Sequence, residues 1–216
     1  MSDIQAAKVP AEATPLRRQP VQQRSAKRVE QMLDASAALI DELGYDALTT
    51  TLIAKRAGVA VGSLYQFFPD KRAVVQALTA RNLERFVGAV NERLKQLGPE
   101  HWWDVVDSIL DIYLEMHRSV PGFSKVHFGD IIDRQLLDET RDNNAVIVDS
   151  LTDLLASQVD RPVEDLRFAI GIANEVADAL LKLAFRTEPS GDEKVVAEAK
   201  YVVKGYLAAR FGEKQA

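Results

Sequence analysis

Residues 44–71 constrain the fold most, because helix signals and turn signals alternate within this short segment. Thr49 is a candidate N-cap for a short helix that ends near Ala57. Gly58 permits a sharp turn, and a second short helix is predicted over residues 61–67. Two short helices joined by a tight turn that contains glycine are typical of a helix-turn-helix motif.

Longer helices are predicted on both sides of this segment. Before it, apolar residues recur at three-and-four spacing from about residue 25 to residue 43, and after it an amphipathic helix is predicted over residues 71–97. The remaining predicted helices cover residues 101–119, 122–128, 131–158, 163–186 and 192–211. Since no segment shows convincing strand alternation with turn signals, we predict an all-α fold of about nine helices.

Composition excludes several classes of protein. The 216 residues are 47% hydrophobic and 27% charged, which excludes wholesale disorder. The chain has no cysteine, so disulfides, cysteine-ligated zinc, iron–sulfur clusters and thiol catalysis are excluded, and we expect no cofactor. No strictly apolar run is long enough to span a bilayer, and the N-terminus lacks the apolar core of a secretory signal. We therefore expect a cytoplasmic protein with no membrane partner.

Charge is distributed unevenly along the chain. Residues 1–81 hold 11 Lys and Arg against 8 Asp and Glu, a net charge of +3, whereas residues 82–216 hold 16 against 24, a net charge of −8. Residues 1–23 contain three prolines and little apolar periodicity, which predicts a flexible basic arm. This arm either follows DNA phosphates or serves only as a solvated tail, and the sequence favours neither reading.

The segment 44–71 presents an outward face suited to DNA. Leu64 and Phe68 are predicted to point inward, and Gly62 keeps the exposed face low enough for DNA to approach the backbone. Gln66 is a candidate for bonding adenine, and Lys71 is placed to meet a phosphate. The predicted DNA-binding residues are Thr49, Thr50, Thr51, Ala60, Val61, Gly62, Ser63, Tyr65, Gln66, Phe67 and Lys71.

The same segment carries a pattern of residue types at fixed spacing. The residues of this pattern are Gly44, Tyr45, Thr49, Ile53, Ala54, Ala57, Gly58, Val59, Gly62, Leu64, Tyr65, Phe67, Phe68 and Lys71. At this spacing the segment resembles the DNA-binding domain of the tetracycline-repressor (TetR) family. Three residues depart from the family's pattern: Leu48, Ala60 and Phe67. Because Ala60 replaces a Ser or Thr that often caps the second short helix, that helix is expected to lose about 1 kcal/mol at its start.

The resemblance implies a domain organisation and a function. It implies a three-helix DNA-binding domain over residues 24–70 and a larger helical domain for effector binding and dimerisation over residues 71–216, with residues 71–97 as the linking helix. The implied function is a homodimeric transcriptional repressor that binds a palindromic double-stranded DNA operator. A small-molecule effector would release it.

The last two predicted helices carry wide apolar surfaces with small residues, which suits a two-fold interface between subunits. Burial within one subunit is the alternative reading. The predicted dimer residues are Ala169, Ala173, Val176, Leu180, Val195, Ala199, Val202 and Tyr206.

An aromatic-rich group in the larger domain is suited to an apolar effector, although plain core packing would use the same residue types. The candidate ligand residues are Phe86, Trp102, Trp103, Tyr113, Met116, His117, Phe123, His127, Phe128 and Asn174.

Two other functions compete with the effector-controlled regulator. A DNA-binding adaptor would use its larger domain only to dimerise, and a ligand screen would distinguish it. A helical-bundle enzyme is disfavoured because none of the three histidines follows a Glu at the Glu-x-x-His spacing of di-iron sites, and no nucleophile elbow or phosphate loop is present. We therefore expect no enzymatic activity.

Overall fold

The computed structural model describes residues 23–98, 101–126, 143–156, 159–186 and 188–212. All regular secondary structure in these ranges is helical, which confirms the all-α prediction. The helices are α1 (Gln23–Leu43), α2 (Thr50–Ala57), α3 (Val61–Phe67), α4 (Lys71–Leu97), α5 (Trp102–Ser119), α6 (Asn143–Ala156), α7 (Val163–Ala184) and α8 (Glu193–Phe211).

The helix predicted over residues 122–128 is not found as predicted. Its described part belongs to a run of turns over residues 121–126, in which the backbone N–H groups of Lys125 and Val126 both donate to the Gly122 carbonyl. Pro121 and Gly122 favour such a turn more than a continuous helix. The remainder of that prediction, and the first part of the helix predicted over 131–158, lie outside the described residues.

Local capping defines the short helices. The Thr49 Oγ1 accepts a hydrogen bond from the Leu52 N–H at 3.2 Å, as an N-cap residue does. Gly58 ends α2 in the left-handed region, with φ +67°, which a glycine adopts without steric cost. Asp70 accepts a hydrogen bond from the Ala73 N–H at 2.9 Å, at the start of α4. The predicted cap at Thr49 and the turn at Gly58 are therefore confirmed.

The chain divides into two compact units. The N-terminal unit contains α1, α2, α3, the part of α4 up to Glu84, and residues 119–126. The C-terminal unit contains Arg85–Arg118 together with α6, α7 and α8. These two units are defined by packing and not by function. The functional division into residues 24–70 and 71–216 therefore stays a prediction.

A continuous apolar core fills the N-terminal unit. Met32 and Ile40 of α1 are fully buried at the spacing expected of one helix face. They belong to the same core cluster as Ile53, Leu64 and Phe68 from the following segments. This core holds α2 and α3 in a fixed arrangement and leaves their opposite faces exposed.

Packed helices and ion pairs stabilise the C-terminal unit. Helices α7 and α8 pack along one another. Between α5 and α8, Lys204 pairs with Asp107 at 2.8 Å, and Lys200 pairs with Asp111. No helix within the described ranges is long and apolar enough to cross a membrane.

Candidate nucleic-acid interface

Helix α3 lies with one face in the core and the other toward solvent. Leu64 is fully buried, whereas Tyr65 and Gln66 are exposed. The Tyr65 hydroxyl lies 3.1 Å from the Thr50 Oγ1, so a hydrogen bond joins the outer surfaces of α3 and α2. This contact fixes two hydroxyl groups side by side on the exposed face of the helix pair, where both remain near solvent.

The N-terminus of α3 lacks a side-chain cap. Ala60 occupies the N-cap position with φ −67° and ψ 142°, and no side chain accepts a hydrogen bond there. Its carbonyl accepts bonds from the N–H groups of Ser63 at 2.9 Å and Leu64 at 3.3 Å. The expectation that Ala60 leaves this helix without a side-chain cap is confirmed.

Gly62 lies on the exposed side of α3. A Cβ atom built on it would have nothing within 4 Å, so no part of this chain explains the missing side chain. Gly62 is the second residue of α3, and a glycine in a helix loses more conformational freedom on folding than an alanine does. The open space above this backbone is suited to the close approach of another molecule.

Most predicted DNA-binding residues lie at the surface of the N-terminal unit. The exposed ones are Thr49, Thr51, Ala60, Gly62, Tyr65 and Gln66, and the partly buried ones are Thr50, Val61, Ser63 and Lys71. The prediction that Phe67 faces outward is wrong, because its side chain is only 7% exposed and belongs to the core cluster. Phe67 follows Leu64 by three residues, and such residues share one helix face.

Lys71 is held by the turn that follows α1. Its Nζ donates to the backbone carbonyls of Tyr45 and Asp46, each at 3.3 Å. The same ammonium lies 4.6 Å from the centroid of the Tyr45 ring, within the range of a cation–π contact. The predicted phosphate-binding side chain is therefore engaged within its own unit.

An exposed ion pair links α2 to the end of α1. Arg56 donates two hydrogen bonds to the Glu42 carboxylate, at 2.8 and 2.7 Å. The hydrogen bond and the charge of Arg56 lower the pKa of Glu42, and the same contact raises the pKa of Arg56. This fork supports the orientation of α2 and leaves one cation of the unit neutralised.

Several predicted ligand residues lie together in the C-terminal unit. Phe86 and Tyr113 meet edge to face with their ring centroids 6.5 Å apart, and Tyr113 lies 6.1 Å from His117. His117 stacks on Phe185 with ring centroids 3.6 Å apart, and Phe185 is not among the predicted ligand residues. No local signal marks Phe185, because it lies just beyond the end of α7.

The other predicted ligand residues divide into separate groups. Trp102 stacks on Trp103 with centroids 4.6 Å apart, Met116 is buried, and Asn174 is partly buried. Phe123 is fully buried but belongs to the N-terminal unit, so it is not part of the aromatic group above. His127 and Phe128 lie outside the described residues.

The predicted dimer residues fall on two different sides of α7 and α8. The assignment of Ala169, Ala173 and Ala199 to a face between subunits is wrong, because all three are buried within this chain. Those that are partly or more fully exposed are Val176, Leu180, Val195, Val202 and Tyr206. Small residues allow α7 and α8 to approach each other closely, which explains the burial of the alanines inside one subunit.

Three exposed apolar residues on α7 are absent from the predicted dimer set. Phe168 is 62% exposed, Ile172 is 40% exposed and Leu183 is 42% exposed. With Val176 and Leu180 they follow a spacing of three and four residues, so they form one stripe on the helix surface, the α7 stripe. The spacing of this second apolar row in the sequence could have predicted an exposed apolar surface on α7. On α8, Tyr201 is exposed as well.

Metal-binding geometry is not found in the described parts of either unit. No three His, Asp or Glu side chains there are grouped to hold a metal ion.

Two family models match the chain. The model described as "Bacterial regulatory proteins, tetR family" matches residues 32–78. The model described as "Tetracyclin repressor-like, C-terminal domain" matches residues 100–211. Together they cover the helix-turn-helix segment and most of the C-terminal unit.

Known proteins resemble this chain to different extents. A TetR-family transcriptional regulator from Streptomyces coelicolor is similar in structure, with a TM-score of 0.74 and 42% identity over 84% of this chain and 98% of that one. The transcriptional repressor KstR from Rhodococcus jostii is 42% identical over 59 residues, which are 27% of this chain and 28% of KstR. The nucleoid occlusion factor SlmA from Actinobacillus pleuropneumoniae is 30% identical over 104 residues, 48% of this chain and 50% of SlmA. The matches thus span half or less of the curated relatives' length.

The fold, the helix-turn-helix geometry and these matches define the class of protein, a DNA-binding transcriptional regulator. The chain belongs to the TetR family.

Proposed function

We propose that this regulator is a homodimeric repressor that binds a palindromic operator and is released by a small-molecule effector. The observation that carries the proposal is the exposed face of α2 and α3, where Gly62 leaves open space beside polar side chains. A helix with this exposure fits the major groove. The similarity to a chain named as a transcriptional repressor, KstR, favours repression over activation.

The proposed contacts divide by their chemistry. Gln66 is exposed and carries an amide that can bond adenine in two places, so it is proposed to read a base. The hydroxyls of Thr50 and Tyr65 are proposed to bind phosphate oxygens, which fix the protein on the duplex. Thr49, Thr51 and Ser63 are proposed to contact the DNA backbone beside them, and Ala60 and Val61 to touch a thymine methyl.

Replacement of Gly62 by alanine tests this interface. Gly62→Ala is expected to raise the free energy of unfolding slightly, because alanine loses less conformational freedom on folding. It is expected to weaken DNA binding, because the new methyl group would occupy the open space. Gly88→Ala is the matched control, since Gly88 lies on α4 with equally open space outside the interface. Both variants should gain stability, and only Gly62→Ala should lose affinity.

Fluorescence anisotropy of labelled duplexes from the gene's upstream region, or selected by the protein from random DNA, measures this affinity. Saturable binding that resists competitor DNA and weakens steeply between 50 and 200 mM salt is the expected result, by about 10³-fold for six or more phosphate contacts. Equal affinity of both glycine variants and the wild type would contradict the proposed interface. Binding that competitor DNA abolishes would contradict operator recognition.

The α7 stripe is proposed as the dimer surface, together with Tyr201, Val202, Val195 and Tyr206 of α8. An exposed apolar row of this length is the kind of surface that a second subunit covers. Phe168→Asp is expected to yield monomers in sedimentation equilibrium, since it would bury a charge at the interface. Val163→Asp is the control, because Val163 is exposed on the same helix but lies off the stripe. A dimeric Phe168→Asp variant would refute this surface.

The aromatic group formed by Phe86, Tyr113, His117 and Phe185 is proposed to contact the effector, an apolar small molecule with a polar group. Buried aromatic rings supply apolar surface, and the Tyr and His side chains bring polar atoms to it. An effector lowers DNA affinity only if it binds the non-operator conformation more tightly.

A DNA-binding adaptor without an effector is the second candidate. It is favoured by the similarity to SlmA, which is named a nucleoid occlusion factor. A thermal-shift screen with apolar metabolites separates the two candidates, because a ligand that binds the folded state raises the melting temperature by mass action. A hit that also releases the labelled duplex supports the effector-controlled repressor.

A further inference from the structure

The helix-turn-helix segment contains three basic side chains, Lys55, Arg56 and Lys71. Arg56 is paired with the Glu42 carboxylate at 2.7 Å. Lys71 donates hydrogen bonds to two backbone carbonyls, at 3.3 Å each. Lys55 differs from both, because its ammonium has no hydrogen bond or ion pair within the described part of the chain. Its charge is therefore available to a partner outside the chain.

Lys55 lies on the outer side of α2. It follows Thr51 by four residues, so the two side chains are neighbours on one face of the helix. Both are exposed, whereas Ile53 and Ala54 are buried in the core. Because Thr51 is among the residues proposed to contact the DNA backbone, Lys55 shares a helix face with the proposed interface.

The direction of helical side chains brings the Lys55 ammonium toward the start of α2. A side chain on a helix leans toward the N-terminus and covers the turn that precedes it. Four residues of α-helix rise about 6 Å, a distance comparable with the length of an extended lysine side chain. The ammonium is therefore within reach of the level of Thr51, in the first turn of α2.

A purely structural role is the alternative for this lysine. Lys55 and Arg56 both lie in the last turn of α2, where a cation offsets the partial negative charge of the helix end. In that role Lys55 would affect the stability of the protein and not the salt dependence of DNA binding. A phosphate contact, in contrast, releases counterions from DNA and so contributes to that salt dependence.

We propose that Lys55 binds a DNA phosphate at the edge of the proposed interface, a residue absent from the predicted DNA-binding set. The proposal rests on the proposed operator binding. Every nucleotide presents the same phosphate, so this contact adds affinity and positions α2 on the duplex without reading sequence. An exposed lysine suits the task because its ammonium is a compact point charge on a flexible stem.

The salt dependence of DNA binding tests the proposal, measured by anisotropy with a labelled duplex that the wild-type protein selects from random DNA. Lys55→Gln removes the charge and keeps a similar helix propensity, whereas Lys55→Arg keeps the charge. Lys95→Gln is the matched control, since Lys95 is an exposed lysine in the last turn of α4. Lys55→Gln is expected to reduce the slope of log affinity against log salt by about 0.9 in magnitude, and the other two variants to keep the wild-type slope.

Two further measurements separate the phosphate contact from other roles of Lys55. A melting temperature that falls in Lys55→Gln without DNA, together with an unchanged slope, would identify the structural role and overturn the proposal. Selection from random DNA by Lys55→Gln is expected to return the wild-type sequence preference. A changed base preference would assign Lys55 to a base edge and would overturn the phosphate contact as well.

Failure of the proposed function gives a different result from failure of this proposal. If the wild-type protein selects no duplex, operator binding is contradicted, and the slopes are compared on a random-sequence duplex, whose phosphates carry the same charge. A slope that Lys55→Gln leaves unchanged on the duplex used overturns the phosphate contact alone. A wild-type protein that binds neither duplex would overturn both.

Discussion

Gly122 allows a close approach between backbones that a side chain would prevent. It lies in the turns over residues 121–126, with φ +72°, and its N–H donates to the Asp41 carboxylate at 3.3 Å. A Cβ atom built on Gly122 would lie 2.7 Å from the Ala37 carbonyl oxygen of α1. Real Cβ atoms do not approach a backbone oxygen so closely, so Gly122→Ala must displace either the turn or α1.

The expected cost of Gly122→Ala has two parts. A left-handed conformation costs a non-glycine residue about 1–2 kcal/mol, and forcing extra volume into a packed site costs about 1–3 kcal/mol. Alanine also lowers the conformational entropy of the unfolded chain, which raises the free energy of unfolding by about 0.4–1 kcal/mol. The free energy of unfolding is therefore expected to fall by about 3 kcal/mol.

Gly44→Ala is the matched control within the same unit. Gly44 has φ +78°, and a Cβ atom built on it has nothing within 4 Å. Only the conformational part applies there, so the expected loss is about 1 kcal/mol. Urea unfolding followed by far-ultraviolet circular dichroism measures both variants. If Gly122→Ala were no less stable than Gly44→Ala, the close approach to Ala37 would not contribute to the free energy of unfolding. That result would refute the expected steric cost at Gly122.

Two further predictions concern α2 and α3. Ala60→Ser is expected to stabilise the protein by about 1 kcal/mol, because it supplies the missing N-cap of α3; an unchanged urea midpoint would contradict this. Glu42→Gln is expected to lower the urea midpoint at pH 7 but not in acid. Because Arg56 lowers the pKa of Glu42, the pair's contribution is complete above the ordinary pKa of a glutamate and is lost as the pH falls through the lowered value. If the urea midpoints of the wild type and Glu42→Gln still differed in acid, the ion pair between Glu42 and Arg56 would not be the cause of the difference.

The helices and their ends could be predicted because they depend on local features. The prediction of residues 71–97 agrees with α4, Lys71–Leu97, since a proline precedes the helix and a glycine follows it. Thr49 and Gly58 likewise set the bounds of α2 through their own backbone preferences. The family could be recognised for the same reason, because its motif lies within a single short segment.

Periodicity alone could not decide which apolar face is buried inside the subunit. Helix α7 has two apolar rows, and the predicted dimer residues are divided between them: Ala169 and Ala173 pack internally, whereas Val176 and Leu180 lie on the exposed row. The exposed row begins at Phe168, one residue away. Only the position of α8 distinguishes the two rows, and that position depends on residues distant in sequence.

Sequence by itself determined the all-α fold, the helix-turn-helix segment and its outward-facing Tyr65 and Gln66, because each follows from short-range spacing and backbone preference. Only the tertiary structure decided which individual side chains are buried and which partners they contact. Phe67 enters the core, and Lys71 turns to carbonyls 25 and 26 residues away. A long side chain takes the partners that folding brings within reach, and the chain's local pattern does not specify them.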